Sequence, residues 1–270
     1  NDFTATISSH RPGDRIVVTY QREGSSKSVT VTLEVEGASK RYINGICSRF
    51  VHSGQDVDFA NYEAEVVPKL WLLTLSRDRK IYQTKGVDAI IKEVLGDFSI
   101  TFSSKLTKTY AALDYVVQYD ETAFEFISRL MEQAGIFYFF TFSASGHTMV
   151  LGDDPSAHVD CADATLIFRG RSDSHNQPDS VLRFEAGGQL VTQTYSGSDY
   201  DYTKPSTSLA GNAAGTSGRG TVYDYPHLRA TVADGKKMLS LQMQASQADN
   251  LSASGESLCN SLYAGGAFTL

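Results

Sequence analysis

Three cysteines in 270 residues, Cys47, Cys161 and Cys259, are too few and too widely spaced for a disulfide framework. None stands in a CxxC or beside histidines at metal-ligand spacing, and Cys47, inside an apolar alternation, reads as a small core residue rather than a reactive thiol. Basic residues are short as well: 24 Lys and Arg face 31 Asp and Glu, a formal charge of −7. A nucleic-acid-binding surface needs clustered cations to displace counterions from phosphates, so no nucleic-acid partner is expected. Long apolar runs are missing too, since the stretches 136–142 and 66–75 fall far short of the ~20 residues a spanning helix needs. Residues 1–14 have no basic region followed by an apolar core, so Sec-type export is not expected.

Local signatures of chemistry are equally scarce. There is no GxSxG, HExxH, Walker loop or GxGxxG, which removes the common motifs of hydrolases, zinc proteases and nucleotide binders. His52, His147, His158, His175 and His227 sit beside Gly, Ser, Pro or Asn, with no pair at i, i+4 on a helix, and read as solvated loop residues. Asp153-Asp154 could bracket a glycosidic bond or hold a cation, but paired acids at a turn more often accept backbone hydrogen bonds. Arg77, Arg79 and Lys80 around Asp78 could touch an acidic partner, and the plainer reading is a wet strand face. Phe137, Tyr138, Phe139 and Phe140 resemble a stacking platform for sugars or bases, yet consecutive strand residues point to opposite faces and suit a strand covered on both. No catalytic, cofactor-binding or metal-binding residue is assigned.

What is present is strand patterning interrupted by helices. Ile16, Val18 and Tyr20 alternate, as do Val29, Val31, Leu33 and Val35, with Thr30, Thr32, Glu34 and Glu36 facing the other way; this is antiparallel sheet with one wet face. Strands are predicted over 42–50 and 62–75, with turns at Asn44-Gly45 and Ser53-Gly54. Val87, Ile90, Ile91, Val94 and Leu95 then follow a helical period that Gly96 would end as a left-handed cap. A second helix starts after Thr122, whose hydroxyl and Glu125 form a capping box; its stripe is Phe124, Ile127, Met131 and Ala134, and Gly135 ends it. A buried strand over 136–142 pairs with 149–151 across 143–147. Short strands resume at 165–169 and 181–185, the Ser/Gly-rich segment 196–221 reads as exposed loop, and 228–259 as a last helix bounded by Gly235 and Gly255. The fold class is therefore mainly β with an α/β insert (α+β).

Ordered motifs across nearly the whole chain carry a resemblance. They are Arg41-Tyr42-Ile43-Asn44-Gly45-Ile46; Tyr62, Val66, Pro68, Leu70, Trp71 and Leu73; Ile81-Tyr82-Gln83, opening the following helix; and Val117 to Thr122 through Phe124, Phe126, Arg129 to Glu132 and Gly135-Ile136 to Tyr138-Phe139. His147, Val150 to Asp153, Tyr200-Asp201-Tyr202 with Pro205-Ser206, and Tyr223 to Pro226 follow. In this the chain resembles the VgrG family of type VI secretion spikes, which are related to phage tail baseplate hubs. The resemblance implies two β-barrel modules of the phage tail hub type at 1–75 and 153–227, an α/β insert at 76–152, and a C-terminal helix and connection at 228–270 leading toward a missing OB-fold and spike. It implies a homotrimer whose six modules cap a hexameric Hcp-type tube. A PAAR-type tip and effectors would be carried through the missing C-terminal spike, and baseplate proteins would lie alongside. No enzymatic role follows, and the implied route is assembly in the bacterial cytoplasm and release through the secretion machine. Two departures stand out: the family has a longer stretch between Gly24 and Ser25, so the first module is expected to be incomplete, and Phe268-Thr269-Leu270 resembles the point where a hub passes into its spike. His227 stands where the family has Gly. A phage tail hub, a spike-borne glycan hydrolase and a carbohydrate-binding module are the competing readings.

Overall fold

The computed structural model describes residues 3–7, 15–20, 28–34, 41–55, 60–169, 180–226 and 231–270. The Gly24-Ser25 junction, Glu36, His175 and His227 lie outside them. The chain divides into two compact units, one made of 1–132, 136–164 and 260–269, the other of 133–135, 165–259 and 270.

The first unit opens with an antiparallel meander: β1 (Phe3–Ile7), β2 (Arg15–Tyr20), β3 (Ser28–Glu34), β4 (Arg41–Gln55) and β5 (Ala60–Val67), in that order. Register aligns the alternating apolar positions, with Ile16 opposite Leu33, Val18 opposite Val31, and Val31 opposite Ile43. The strand order is open, so the closed barrels that the resemblance implies do not occur among the described residues. Neither expected turn is a turn. Asn44 and Gly45 lie inside β4, and a Cβ at Gly45 would fall 2.5 Å from the Val67 carbonyl, so glycine serves close strand approach there. Ser53 falls where the β4–β5 register slips between His52 and Gly54, a bulge rather than a reversal. Cys47 is only half-buried, its thiol donating to the Arg49 carbonyl at 3.2 Å.

The strand predicted to run on to residue 75 stops at Val67. Pro68 opens a 3₁₀ helix, Lys69–Leu75, in which Trp71 N–H donates to the Pro68 carbonyl; Leu70 and Leu73, three apart, share its buried side. Next comes β6 (Arg77–Lys85), which contains Ile81-Tyr82-Gln83, so that motif is strand and does not open a helix. In α1 (Val87–Asp97), Ile90, Ile91, Val94 and Leu95 are buried. Gly96 is inside its last turn; Ser99, at φ 52°, takes the left-handed position instead. The Ser99 and Ile100 amides close that end on the Gly96 and Leu95 carbonyls.

Then follow β7 (Phe102–Lys105), β8 (Leu113–Thr122), α2 (Ala123–Ala134), β9 (Phe137–Ser143), β10 (Gly146–Gly152) and β11 (Val159–Thr165). The Thr122/Glu125 capping box forms in both directions, at 3.1 Å from the Glu125 amide to the Thr122 hydroxyl and 2.7 Å from the Thr122 amide to the Glu125 carboxylate. Gly135, at φ 68°, ends α2 as expected. The buried stripe is rotated from the expected one: Phe126 and Leu130 join Ile127, Met131 and Ala134, while Phe124 is half-exposed. Phe126 stacks on Tyr82 with centroids 5.4 Å apart, tying α2 to the inner face of the β6–β8 ribbon. β9 and β10 form the predicted hairpin, and β7 joins β10 in parallel. In β9 only Phe139 is fully buried, its aromatic neighbours being half-covered.

The second unit contains β12 (Ile167–Phe168), β13 (Ser180–Gly188), β14 (Thr194–Gly197), β15 (Gly211–Ala214), β16 (Thr221–Asp224), α3 (Val232–Ala248) and β17 (Leu251–Ser257). The presumed loop 196–221 thus holds β15, paired to β14, and buries Leu209. The last helix is shorter than expected: Thr231 caps it, Gly235 lies within it, and Gly255 belongs to β17, where a side chain would strike the Arg183 carbonyl. α3 packs on β14 and β15. Finally β18 (Gly266–Thr269) returns to the first unit and pairs with β11.

Candidate assembly surfaces

The polar residues weighed for chemistry turn out to organise the fold. Asp153 is buried, and its carboxylate accepts from the Thr107 amide and hydroxyl at 2.8 and 2.9 Å, the Lys108 amide at 2.9 Å and the Tyr110 hydroxyl at 2.9 Å. Burial alone would raise its pKa, but these hydrogen bonds outweigh it and lower the value to about 2. Asp154 caps the short turn Pro155–Ala157 through the Ser156 amide. The pair therefore points at its own backbone and not at a shared void. His147 is no solvated loop residue: half-buried in β10 beside Phe140, it accepts the Lys69 amide on Nε2 at 2.9 Å. Burial and the nearby Lys69 charge lower its pKa. His158 is exposed, bonds the Gly265 carbonyl through Nδ1 at 2.9 Å and stacks on Phe137. His52 lies in β4 by backbone. Among the described residues no group of three or more His, Cys, Asp or Glu is gathered as a metal ion would need, and no helix is long and apolar enough to cross a membrane.

Among the described residues three exposed surfaces remain. The outer face of the β6–β8 ribbon carries Arg79, Ile81 and Gln83 opposite Tyr119, Val117 and Tyr115, with Leu113 beyond. Tyr82, Val116 and Gln118 take the inner face and are buried. The outer face is thus an apolar stripe, with Ile81 54 % and Tyr119 70 % exposed and the Arg79 guanidinium lying 5.3 Å over the Tyr119 ring. At the same end a bulge at Asp78/Arg79 brings Arg77 onto the Asp120 carbonyl at 2.7 Å. In the basic run Arg77 and Arg79 are exposed and Lys80 is half-buried, and acids of the same unit match them: Arg79 lies 3.7 Å from Asp120, and Lys80 3.0 Å from Asp97 and 3.5 Å from Glu93. That agrees with the plainer reading of a wet face.

The second surface is the β13–β17 ribbon, exposed along 183–188 and 251–256 on both faces, with Phe184 and Leu251 among its open side chains. Two strands lacking cover on either side are marginally stable in water. The third is built by β14 and β16, which run parallel with Gly197 opposite Asp224. The segment 198–202 that leaves β14 and the end of β16 with Tyr225, residues 223–225, therefore lie side by side, and the Ser198 amide bonds the Asp224 carbonyl at 3.3 Å. They present Tyr200, Tyr202, Tyr223 and Tyr225, all exposed, with Asp199, Asp201 and Asp224 interleaved. Sequence reasoning used these residues only as checkpoints; the signal missed was the density of Tyr and Asp in two segments that a parallel pair brings together.

A family model described as phage tail baseplate hub (GPD) matches residues 24–270. The chain is 34 % identical over 227 residues to the type VI secretion system spike protein VgrG1c of Pseudomonas aeruginosa, covering 82 % of this chain and 31 % of that protein. To VgrG1a of the same organism it is 33 % identical over 233 residues, covering 83 % and 36 %. It spans about a third of the length of these curated relatives. Among solved structures it is similar to a tail protein from Neisseria meningitidis, with TM-score 0.59, 14 % identity, and 90 % and 71 % of the two chains covered. A 43 kDa prophage tail protein from Shewanella oneidensis gives TM-score 0.55 at 13 % identity, over 94 % and 82 %. The motifs, the strand-rich fold and the family match agree: the chain belongs to the phage tail baseplate hub family, among the VgrG spike proteins of type VI secretion.

Proposed function

We propose that this chain is the hub region of a type VI secretion spike, a trimeric adapter that caps a hexameric Hcp-type tube and carries the puncturing tip outward with its effectors. The observation that carries the reading is the 34 % identity to a spike protein over most of the chain. Within it, 1–75 and 153–227 serve as the two tube modules, 76–152 as the insert between them, and 228–270 as the connection toward an OB-fold, spike and PAAR-type tip. The open sheet β1–β5 and the doubly exposed β13–β17 ribbon support assembly with other copies, because edges and faces left open in one chain call for cover. The role is mechanical, without turnover of a substrate, and the protein is assembled in the cytoplasm and released through the machine. The full occupation of the Asp153 carboxylate by Thr107, Lys108 and Tyr110, in the segment between β7 and β8, supports a non-enzymatic reading over a glycan hydrolase. The likeness to tail proteins at 14 % identity concerns fold alone, and it keeps a prophage tail hub as the second reading.

The deciding experiment deletes the encoding gene in a strain with no other spike gene and measures extracellular tube protein by immunoblot. Secretion should fall to background and return with the full-length gene. Undiminished secretion would overturn the spike reading in favour of the tail hub.

A further inference from the structure

We propose that His147 is a proton-operated latch: as a neutral ring it pins the exit of the β1–β5 meander to the β9–β10 hairpin, and as a cation it lets that exit go. The device lies within the first unit, so it holds for a spike hub and a tail hub alike.

Two polar side chains tie the meander to the hairpin. In β4 the Asn44 side-chain amide donates to the Ser143 and Gly146 carbonyls at 2.7 and 3.3 Å, bracketing the turn between β9 and β10. The chain then leaves β5 through Pro68, and the next amide, that of Lys69, donates to Nε2 of His147 at 2.9 Å. These partners stand 78 positions apart, so the bond holds a strand exit to a distant hairpin rather than shaping a local turn. An amide in the first turn of a helix has no acceptor within that helix, and here the imidazole supplies one. An Asn side chain keeps its donors at every pH, whereas an imidazole accepts only while Nε2 is bare. One of the two ties therefore answers to protons and the other does not.

The surroundings give a cation at this place no support. The ring is half-buried, edge-on to Phe140 and tilted against Phe142, with centroids 5.8 and 6.2 Å away. The elements around it, β4, the 3₁₀ helix, β7, β9 and β10, contain no Asp or Glu, so none of them brings a counter-ion. By strand alternation the titratable and charged groups on the faces turned to it are Lys69, Tyr42 beside Asn44 and Tyr138 beside Phe140; Lys105 lies at the far end of β7, opposite Gly152. Burial and the Lys69 charge favour the neutral ring and outweigh a backbone hydrogen bond with Asn44 that favours the cation. Once Nε2 takes a proton, two N–H donors face each other across 2.9 Å, and the Lys69 ammonium, held on the Ser99 carbonyl at 2.8 Å, adds its repulsion. The Lys69 amide must then turn to water, which moves the strand exit, while Asn44 keeps its own hold on the hairpin.

The test is hydrogen–deuterium exchange of the full-length protein, read by mass spectrometry from pH 7.5 down to 4.5, with labelling times scaled to the intrinsic rate at each pH. The peptide covering 66–72 should exchange about tenfold faster at the acid end, in one step with its midpoint below 6.5, while α2 and residues 42–46 keep their protection. In His147→Gln, whose side-chain oxygen accepts at any pH, the step should vanish. Lys69→Gln gives a second reading should that variant not fold: removing the cation raises the pKa of the ring, so the step moves to higher pH. Flat protection of 66–72 across the whole range, a step that persists in His147→Gln, or a step shared equally by α2 would each overturn the latch. So would an unmoved midpoint in Lys69→Gln.

Discussion

Asp153 and His147 are conditional on charge in opposite ways. The ordinary Asp pKa near 3.8 falls to about 2 in the fold, so the Asp153 contribution is fully present above pH 4 and drains away as pH falls toward 2. The shift corresponds to about 2 kcal/mol. Asp153→Asn turns an amide donor toward the Thr107 and Lys108 amides, and calorimetry at pH 7 should record a Tm lower by roughly 4–8 °C. His147 must be neutral to accept the Lys69 amide, and its folded pKa lies below the ordinary 6.5. An unfolded chain therefore binds the proton first, so this contribution is present above pH 6.5 and declines as pH falls below it. In His147→Gln, whose amide oxygen accepts at any pH, the fall in Tm between pH 7.5 and 5.5 should be shallower than in the parent; an identical slope would assign the sensitivity to other groups.

At the scale of elements, the capping box at α2 is the clearest link from sequence to stability. Thr122→Ala leaves the Glu125 amide without its acceptor and should cost about 1 kcal/mol, read as a lower denaturant midpoint with an unchanged m-value. Local rules of this kind were legible in advance: the box, Gly135 and the β9–β10 hairpin are each fixed by a few neighbouring residues. What escaped was set by distant partners. Leu70 to Leu75 is apolar enough for a buried strand, but Pro68 and the buried pair Leu70 and Leu73 select a 3₁₀ turn. Asn44-Gly45 has turn chemistry, yet the Asn44 amide donates to the Ser143 and Gly146 carbonyls, about a hundred positions away, and its neighbour lies against Val67. The Asp/Tyr surface was invisible for the same reason, since only the parallel β14–β16 pair brings its two segments together.

For the whole molecule, the first unit is discontinuous and depends on the return of residues 260–269. Gly265 lies against Phe139, its carbonyl holds His158, and β18 pairs with β11. Truncation after Cys259 should raise amide exchange across 159–165 while α3 and β14–β16 keep their protection; protection lost equally in both units would mean that they unfold as one. Because residues 165–259 lie between the parts of the first unit, order of synthesis becomes an order of folding. The nascent chain delivers residues 165–259 of the second unit before the ribosome has translated β18 of the first. The second unit can therefore settle early, while β11 leaves the exit tunnel with an open edge. Slow codons or an early stop beyond residue 259 would prolong that exposure, and the edge of β11 is where mispairing between nascent chains would start.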